Sequence, residues 1–100
     1  MFVVIFQAIL TVPEDEYLQT ASQLRELALN DYGCLKFVAM TEGDQELALS
    51  WWADEESIRH WKQASDHLMA QQLGRERWYS SYSVEVGKIT RKYAFPEDTA

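Results

Sequence analysis

The chain is poor in the residues that mark several common functional classes. It has one cysteine, Cys34, so no internal disulfide is possible, and no cysteine–histidine cluster has the spacing of a zinc site. We therefore expect a reducing, cytoplasmic environment. The 9 basic residues are outnumbered by 16 acidic ones, which gives a net charge of −7. This balance argues against nucleic acid and anionic membranes as partners, because both select positively charged surfaces.

Glycine, proline and long apolar runs are also scarce. The chain has 4 glycines and 2 prolines, and they do not form a linker or a low-complexity segment. The glycines do not cluster as they do in loops that bind flavin, nicotinamide or phosphate, so we predict none of these cofactors. The apolar opening, MFVVIFQAIL, is too short to span a bilayer and lacks a basic leading segment. We interpret it as a buried strand.

What the chain does have is enough apolar surface for a core, at 47% hydrophobic residues. The hydrophobic spacing predicts the order β-α-β-β-α-β, which is the ferredoxin-like split βαβ arrangement of an α+β protein. Such a fold has one antiparallel sheet with helices on one face. We expect one domain over residues 1–93 and a short acidic tail at 94–100. The predicted strands cover 2–10, 34–40, 46–53 and 82–93, and the predicted helices begin at Pro13 and Asp54, the second with a break at 64–66.

The first and third predicted strands are apolar on both faces. In the third strand, Leu47, Leu49 and Trp51 alternate with Ala48 and Trp52. Helices on one side of the sheet would leave the other side as a large exposed apolar patch, which soluble proteins rarely tolerate. The sequence therefore predicts a homodimer that packs sheet to sheet. The last strand is long for such a small sheet, and we expect it or the residues after it to contact the partner.

Three stretches resemble a known family. They are Leu49–Ser57 at the end of the third strand, His60–His67 in the second helical region, and Gln71–Arg75 leading to Tyr82. With the apolar opening strand they resemble the antibiotic biosynthesis monooxygenase family over roughly residues 1–93. The resemblance implies a dimeric α+β barrel. For one branch of the family it implies cofactor-independent oxygenation of aromatic or quinol-type compounds, and for another branch the degradation of haem.

The haem-degrading branch matches less well. That branch has an iron-binding histidine ten residues after a tryptophan that corresponds to Trp61 here. The ligand position is occupied by Gln71, and an amide is a poor iron ligand beside imidazole. We therefore predict no tight haem binding, and the resemblance to the oxygenase branch implies no cofactor and no metal.

The resemblance carries over Trp61 directly, as a wall of the substrate pocket. His67 is interpreted as a proton-handling group, because imidazole both accepts and donates protons near neutral pH. Gln7 is a polar residue on an apolar strand and offers an amide to the substrate. The predicted site, one cavity between helices and sheet beside the helix break, consists of the catalytic residues His67 and Trp61 and the substrate-binding residues Gln7, Ile5, Ile58 and Tyr82.

Each of these residues also has a structural interpretation. Trp61 has the spacing of a core residue, His67 could cap a helix or face solvent, and Gln7 could satisfy a backbone group or a partner chain. Two functions of different class follow. One is a cofactor-independent monooxygenase that acts on a small aromatic or quinol-like compound. The other is a non-catalytic or non-oxygenase dimer that binds a small apolar ligand or supports another protein.

Overall fold

A computed structural model of the protein describes residues 1–11, 14–72 and 78–96. The elements follow the predicted order β-α-β-β-α-β, and the four strands form one antiparallel sheet in the order β2-β3-β1-β4. The α+β, ferredoxin-like class is confirmed. Pro13, Gly74 and Arg75, on which parts of the prediction rested, lie outside the described residues. The bounds are β1 Phe2–Leu10, α1 Glu14–Asp31, β2 Cys34–Glu42, β3 Gln45–Trp52, α2 Glu55–Gln72 and β4 Tyr79–Lys88.

The predicted break in the second helical region is wrong. α2 runs without interruption through Ser65 and Asp66. The Ser65 hydroxyl donates to the carbonyl oxygen of Lys62, 3.0 Å away, and the Lys62 ammonium lies 2.9 Å from the Asp66 carboxylate. Ser65 and Asp66, which suggested the start of a new helix, therefore have their polar partners within α2 itself.

The last strand is shorter than predicted at its end and begins earlier. β4 covers Tyr79–Lys88 and not 82–93. It pairs only with β1, and its register places Lys88 opposite Phe2. The Ile89 amide then donates to the carbonyl of Met1 at 3.0 Å.

Strand alternation sorts β1 onto two faces of the sheet. Phe2 and Val4 pack with Trp52 and Trp61 and so belong to the face that the helices cover. We call this the helix-side face. The alternate residues lie on the other face, the open face, where they pair with β3 in the register Val3 with Trp51, Ile5 with Leu49, and Gln7 with Leu47.

The core between helices and sheet consists of two clusters. The first is formed by Leu10, Tyr17 and Trp78. The second contains Ala28, Cys34, Trp52 and Ile58. Between them the helix-side face is less covered, because its middle row carries two alanines and its outer residues are exposed. That row is Ala39, Ala48, Phe6 and Val84, one from each strand.

Trp52 is predicted to be the residue on which the second cluster depends most. Its side chain is fully buried, and its indole N–H donates to the Ser50 hydroxyl at 2.8 Å. We expect Trp52→Ala to lower the free energy of unfolding by about 3–5 kcal/mol. Ser50→Ala keeps the packing but removes the acceptor, and we expect a loss of about 1–3 kcal/mol. Urea unfolding at one fixed protein concentration measures both, and a larger loss for Ser50→Ala would contradict this account.

Candidate functional site

Trp61 and Ile58 are placed by the first turns of α2. Asp54 caps this helix by accepting the Ser57 amide at 2.8 Å. Three residues apart on the helix, Ile58 and Trp61 then face the sheet together. The Trp61 ring is half-buried, with its centroid 5.5 Å from that of Tyr32 and 6.4 Å from that of Trp52. Trp61 is thus a wall of the second cluster that stays partly open to the surface.

His67 does not join Trp61. Six residues separate the two, which on an uninterrupted helix places their side chains about 120° apart. The His67 side chain is exposed. The predicted break was the feature that would have brought the imidazole back toward the tryptophan, and α2 has no such break.

Ile5 and Gln7 lie on the open face, on the other side of the sheet from Trp61 and Ile58. The expectation of one cavity lined by all the predicted residues is therefore wrong. Alternation correctly grouped Ile5 with Gln7. Which group faces the helices was not decided by the pattern, because both faces of β1 are apolar. The roles of Ile5 and Gln7 in binding stay predictions.

Tyr82 lies on the helix-side face but at the far end from Trp61. It pairs across the sheet with Ala8, and its side chain is 44% exposed. Its ring is nearly parallel to that of Phe6, with the centroids 6.0 Å apart, and its centroid is 5.8 Å from that of Tyr79. An exposed aromatic surface is thus built at this end of the sheet.

Beside this surface lies a buried polar cluster that the sequence analysis missed. The Glu46 side chain is buried, and its carboxylate accepts a hydrogen bond from the Thr41 hydroxyl. The Tyr79 hydroxyl donates to the Tyr17 hydroxyl at 3.3 Å. Burial raises the pKa of Tyr17 far above its usual range, with further contributions from Tyr79 and from the charge of Glu46. A signal was available: alternation places Glu46 on the same face as Ser50 and Trp52, which is unusual for a charged residue.

The strand register explains how these groups meet. One row of the helix-side face crosses all four strands, with Thr41, Glu46, Ala8 and Tyr82 side by side. Ala8 is the only small apolar residue of the four, and it lies between the carboxylate and the tyrosine ring. Glu46 and Tyr82 are two strand spacings apart, or about 10 Å.

Two depressions mark the surface near these residues and near the helices. The first, of about 690 Å³, lies on the open face at this end of the sheet, because most of its lining residues alternate with Glu46, Ala8 and Tyr82 along their strands. Gln7 and Leu47 are among these open-face residues, and Tyr82 of the predicted site also lines the depression. The second, of about 340 Å³, lies between α1 and α2 and contains none of the predicted residues.

Across residues 1–11, 14–72 and 78–96, no three histidine, cysteine or carboxylate side chains are grouped to hold a metal ion. Gln71 belongs to α2, but its side chain is outside what the structure describes. The indole N–H of Trp78 is buried and has no hydrogen-bond partner among the described residues. Neither described helix has the length and apolar character needed to cross a membrane.

The chain belongs to the antibiotic biosynthesis monooxygenase family, whose model matches residues 2–73. It is 32% identical over 99 residues to the uncharacterized protein YqjZ of Bacillus subtilis (strain 168), covering 98% of this chain and 87% of that protein. It is 34% identical over 97 residues to the jasmonate monooxygenase ABM of Pyricularia oryzae, covering 90% of this chain. The match spans only 44% of that second relative.

Solved structures show the same fold. A mutant of SnoaB, a cofactor-independent oxygenase from Streptomyces nogalater, superposes with a TM-score of 0.74 at 12% identity, covering 96% of this chain and 97% of that one. A dimeric ferredoxin-like protein from an uncultured marine organism gives 0.70 at 8% identity, covering 93% and 97%. At these identities the likeness supports the fold alone.

The buried Tyr17 hydroxyl should resist ionisation in alkali. Because its pKa is raised in the folded protein, Tyr17 should stay protonated when exposed tyrosines ionise near pH 10. The unfolded chain would release that proton, so the free energy of unfolding should fall as pH rises above this value.

Absorbance near 295 nm, recorded while the protein stays folded, measures the number of ionised tyrosines. Tyr17→Phe should leave that number unchanged. A drop of one in Tyr17→Phe would contradict the burial of this hydroxyl.

Proposed function

We propose that this protein is a cofactor-independent monooxygenase that acts on a small aromatic or quinol-type compound. The observation that carries the proposal is the helix-side face of this protein, which has exposed aromatic rings beside a buried polar cluster. The family to which the chain belongs makes that face the natural place for an oxygenase site. The similarity to a jasmonate monooxygenase and the shared fold with a cofactor-independent oxygenase support the reaction class.

The chemistry requires little from the protein beyond a suitable surface. An electron-rich phenol or enol, once deprotonated, supplies the electron to dioxygen. The protein contributes aromatic walls that hold a planar ring, a group that takes or shares a proton, and exclusion of water. In this proposal the planar substrate lies against Trp61 and Ile58, while Tyr82 offers a second aromatic surface at the other end of the same face. His67, exposed on α2, is the proposed proton-handling group.

We also propose that the protein works as a homodimer joined through the open faces. That face is apolar along the two central strands, where Ile5 pairs with Leu49 and Val3 with Trp51. Met40 and Leu47, paired across β2 and β3, are 66% and 37% exposed. A second copy would bury this surface, and Ile5 and Gln7 would then lie at the interface. The dimeric protein of similar fold supports this assembly.

In this proposal the segment that follows Lys88 contacts the second copy of the chain. Tyr93 and Phe95 are 81% and 100% exposed. Aromatic side chains on a stretch of chain outside the sheet are more easily explained as contacts to a second chain than as solvated groups.

A binding protein without oxygenase activity is the second candidate. The observation that favours it is the position of His67, because an exposed imidazole on the far side of the helix does not reach Trp61. In that case the same aromatic surfaces would hold an apolar ligand, with no reaction.

Oxygen uptake tests the first candidate. With anthrones, hydroquinones and menadiol, and with no cofactor or metal added, we expect the protein to consume oxygen faster than the substrate alone. Trp61→Ala should lower the rate at least about tenfold, because a planar substrate loses its wall and its orientation. Trp61→Phe, which keeps an aromatic ring, should retain most of the rate. Binding of these compounds with no uptake above background would favour the binding protein instead.

Light scattering tests the dimer. The monomer mass is 11.7 kDa, and we expect twice that value at micromolar concentration. Leu49→Asp, at the centre of the open face, should dissociate the dimer because it buries an unpaired charge. Leu29→Asp, an equal change on the exposed side of α1, should not. A monomeric wild-type protein would rule out this assembly.

A further inference from the structure

We propose that Val84 and Val86 bind an aliphatic chain carried by the aromatic substrate and thereby determine which phenols or quinols the site accepts. We call these two residues the valine stripe. The inference rests on the proposed function, because it adds a second part of the substrate, an alkyl substituent, to the ring that Trp61 and Ile58 contact. It assigns a specificity role to two residues of β4 that the sequence analysis did not single out.

The first argument is the alternation of β4. One side of this strand is polar or small and the other side is apolar. The open-face set is Ser81, Ser83, Glu85 and Gly87, and the helix-side set is Tyr82, Val84 and Val86. This pattern is typical of a strand whose apolar side is covered. Val84 and Val86 are nevertheless 45% and 47% exposed. The fold therefore leaves an apolar surface half open on the face that holds the proposed site.

The second argument is that this surface stays accessible in the proposed dimer. Within the described residues, the two helices contact the sheet mainly through β2 and β3. β4 lies at the opposite edge of the sheet, on the far side of β1. The second copy would pack on the open face, toward which β4 directs its polar side. A small apolar molecule can therefore reach the valine stripe from the helix side in the monomer and in the dimer.

The third argument is that the valine stripe continues the surface on which Trp61 lies. Val4 and Trp61 both pack against the core cluster that contains Trp52. Val86 is the neighbour of Val4 across β1 and β4, one strand spacing of about 5 Å away. A ring that lies against Trp61 can thus extend a substituent over Val4 and onto Val86.

The chemistry of the valine stripe selects the kind of substituent. A valine side chain has no ring face for stacking and no hydrogen-bonding atom, so the complementary group is a saturated chain. Beyond Val84 the surface becomes polar, because Tyr82 shares its row with Glu46 and Thr41. The two valines are two residues apart, a distance of about 7 Å along the strand, which an extended chain of about six carbons covers.

The test uses 4-alkylphenols with chains from methyl to octyl, bound to the full chain under anaerobic conditions so that no oxidation occurs. Equilibrium dialysis measures each affinity. We expect the affinity to rise about twofold or more for each added methylene, because each one leaves water for an apolar surface. The gain should level off at about six carbons, where the chain reaches the row of Tyr82.

Val84→Thr is the matched variant, because it keeps the shape of the side chain and replaces one methyl group by a hydroxyl. It should lower the ratio of the 4-hexylphenol affinity to the 4-methylphenol affinity about threefold or more. Leu35→Thr, at a 54% exposed position of β2 on the other edge of the sheet, should keep the ratio of the unaltered protein. Where Val84→Thr does not fold, the same ratio in Val86→Thr takes its place.

Three results would overturn the proposal. The first is equal affinity for 4-methylphenol and 4-hexylphenol, which is also expected if a segment of the second copy covers the valine stripe. The second is a gain that continues without change to octyl, as in unspecific apolar binding. The third is an unaltered ratio in the valine variants.

The outcomes also separate this inference from the proposed reaction. A preference for alkyl chains that depends on Val84, in a protein that consumes no oxygen with any substrate, would support the binding role and reject the monooxygenase. Oxygen uptake without a preference for alkyl chains would support the monooxygenase and reject the binding role.

Discussion

The rest of this structure depends on the central position of β1. It pairs with β3 on one side and β4 on the other, so its alternation determines which residues of both neighbours share a face. Phe2 and Val4 are held against the helices, and Ile5 and Gln7 are directed away from them. Because the side-chain period of a strand is two, no local adjustment can exchange these sets.

This constraint divides the chemistry of the protein between two faces. The helix-side face holds Trp61 at one end and the Glu46 cluster at the other. The open face holds Gln7 and an apolar surface that a second copy would cover. The side chains of the two groups are thereby held on opposite sides of one sheet. The depression at the Glu46 end belongs to the open face, since Gln7, Met40 and Leu47 line it.

The uneven packing of the helix-side face has a physical origin in residue size. Two core clusters are built around large side chains, Trp78 with Tyr17 and Trp52 with Ile58. Alanines occupy much of the sheet between them, and small side chains cannot fill the space below two helices. This uneven packing explains why the aromatic rings of Phe6 and Tyr82 stay within reach of solvent.

Much of the fold followed from local patterns. The bounds of β1, the order of elements and the start of α2 at Asp54 could be predicted because period-two and helical spacing, turns and caps are local signals. The predicted break at 64–66 was wrong because Ser65 and Asp66 can form hydrogen bonds and ion pairs within a helix as well as at its start. The predicted end of β4 was wrong because the extent of a strand depends on its pairing with a neighbour, here β1, which is a long-range contact.

The candidate site, like the fold, could be predicted only in part from the sequence. The sequence alone determined the family and the fold class, since these rest on residue types and spacing. Only the tertiary structure decided that His67 is exposed, that Ile5 and Gln7 lie away from Trp61, and that Glu46 is buried beside Tyr17. A strand that is apolar on both faces carries no local signal for which face meets the helices. That choice is made by the packing of the whole sheet, and the position of every site residue follows from it.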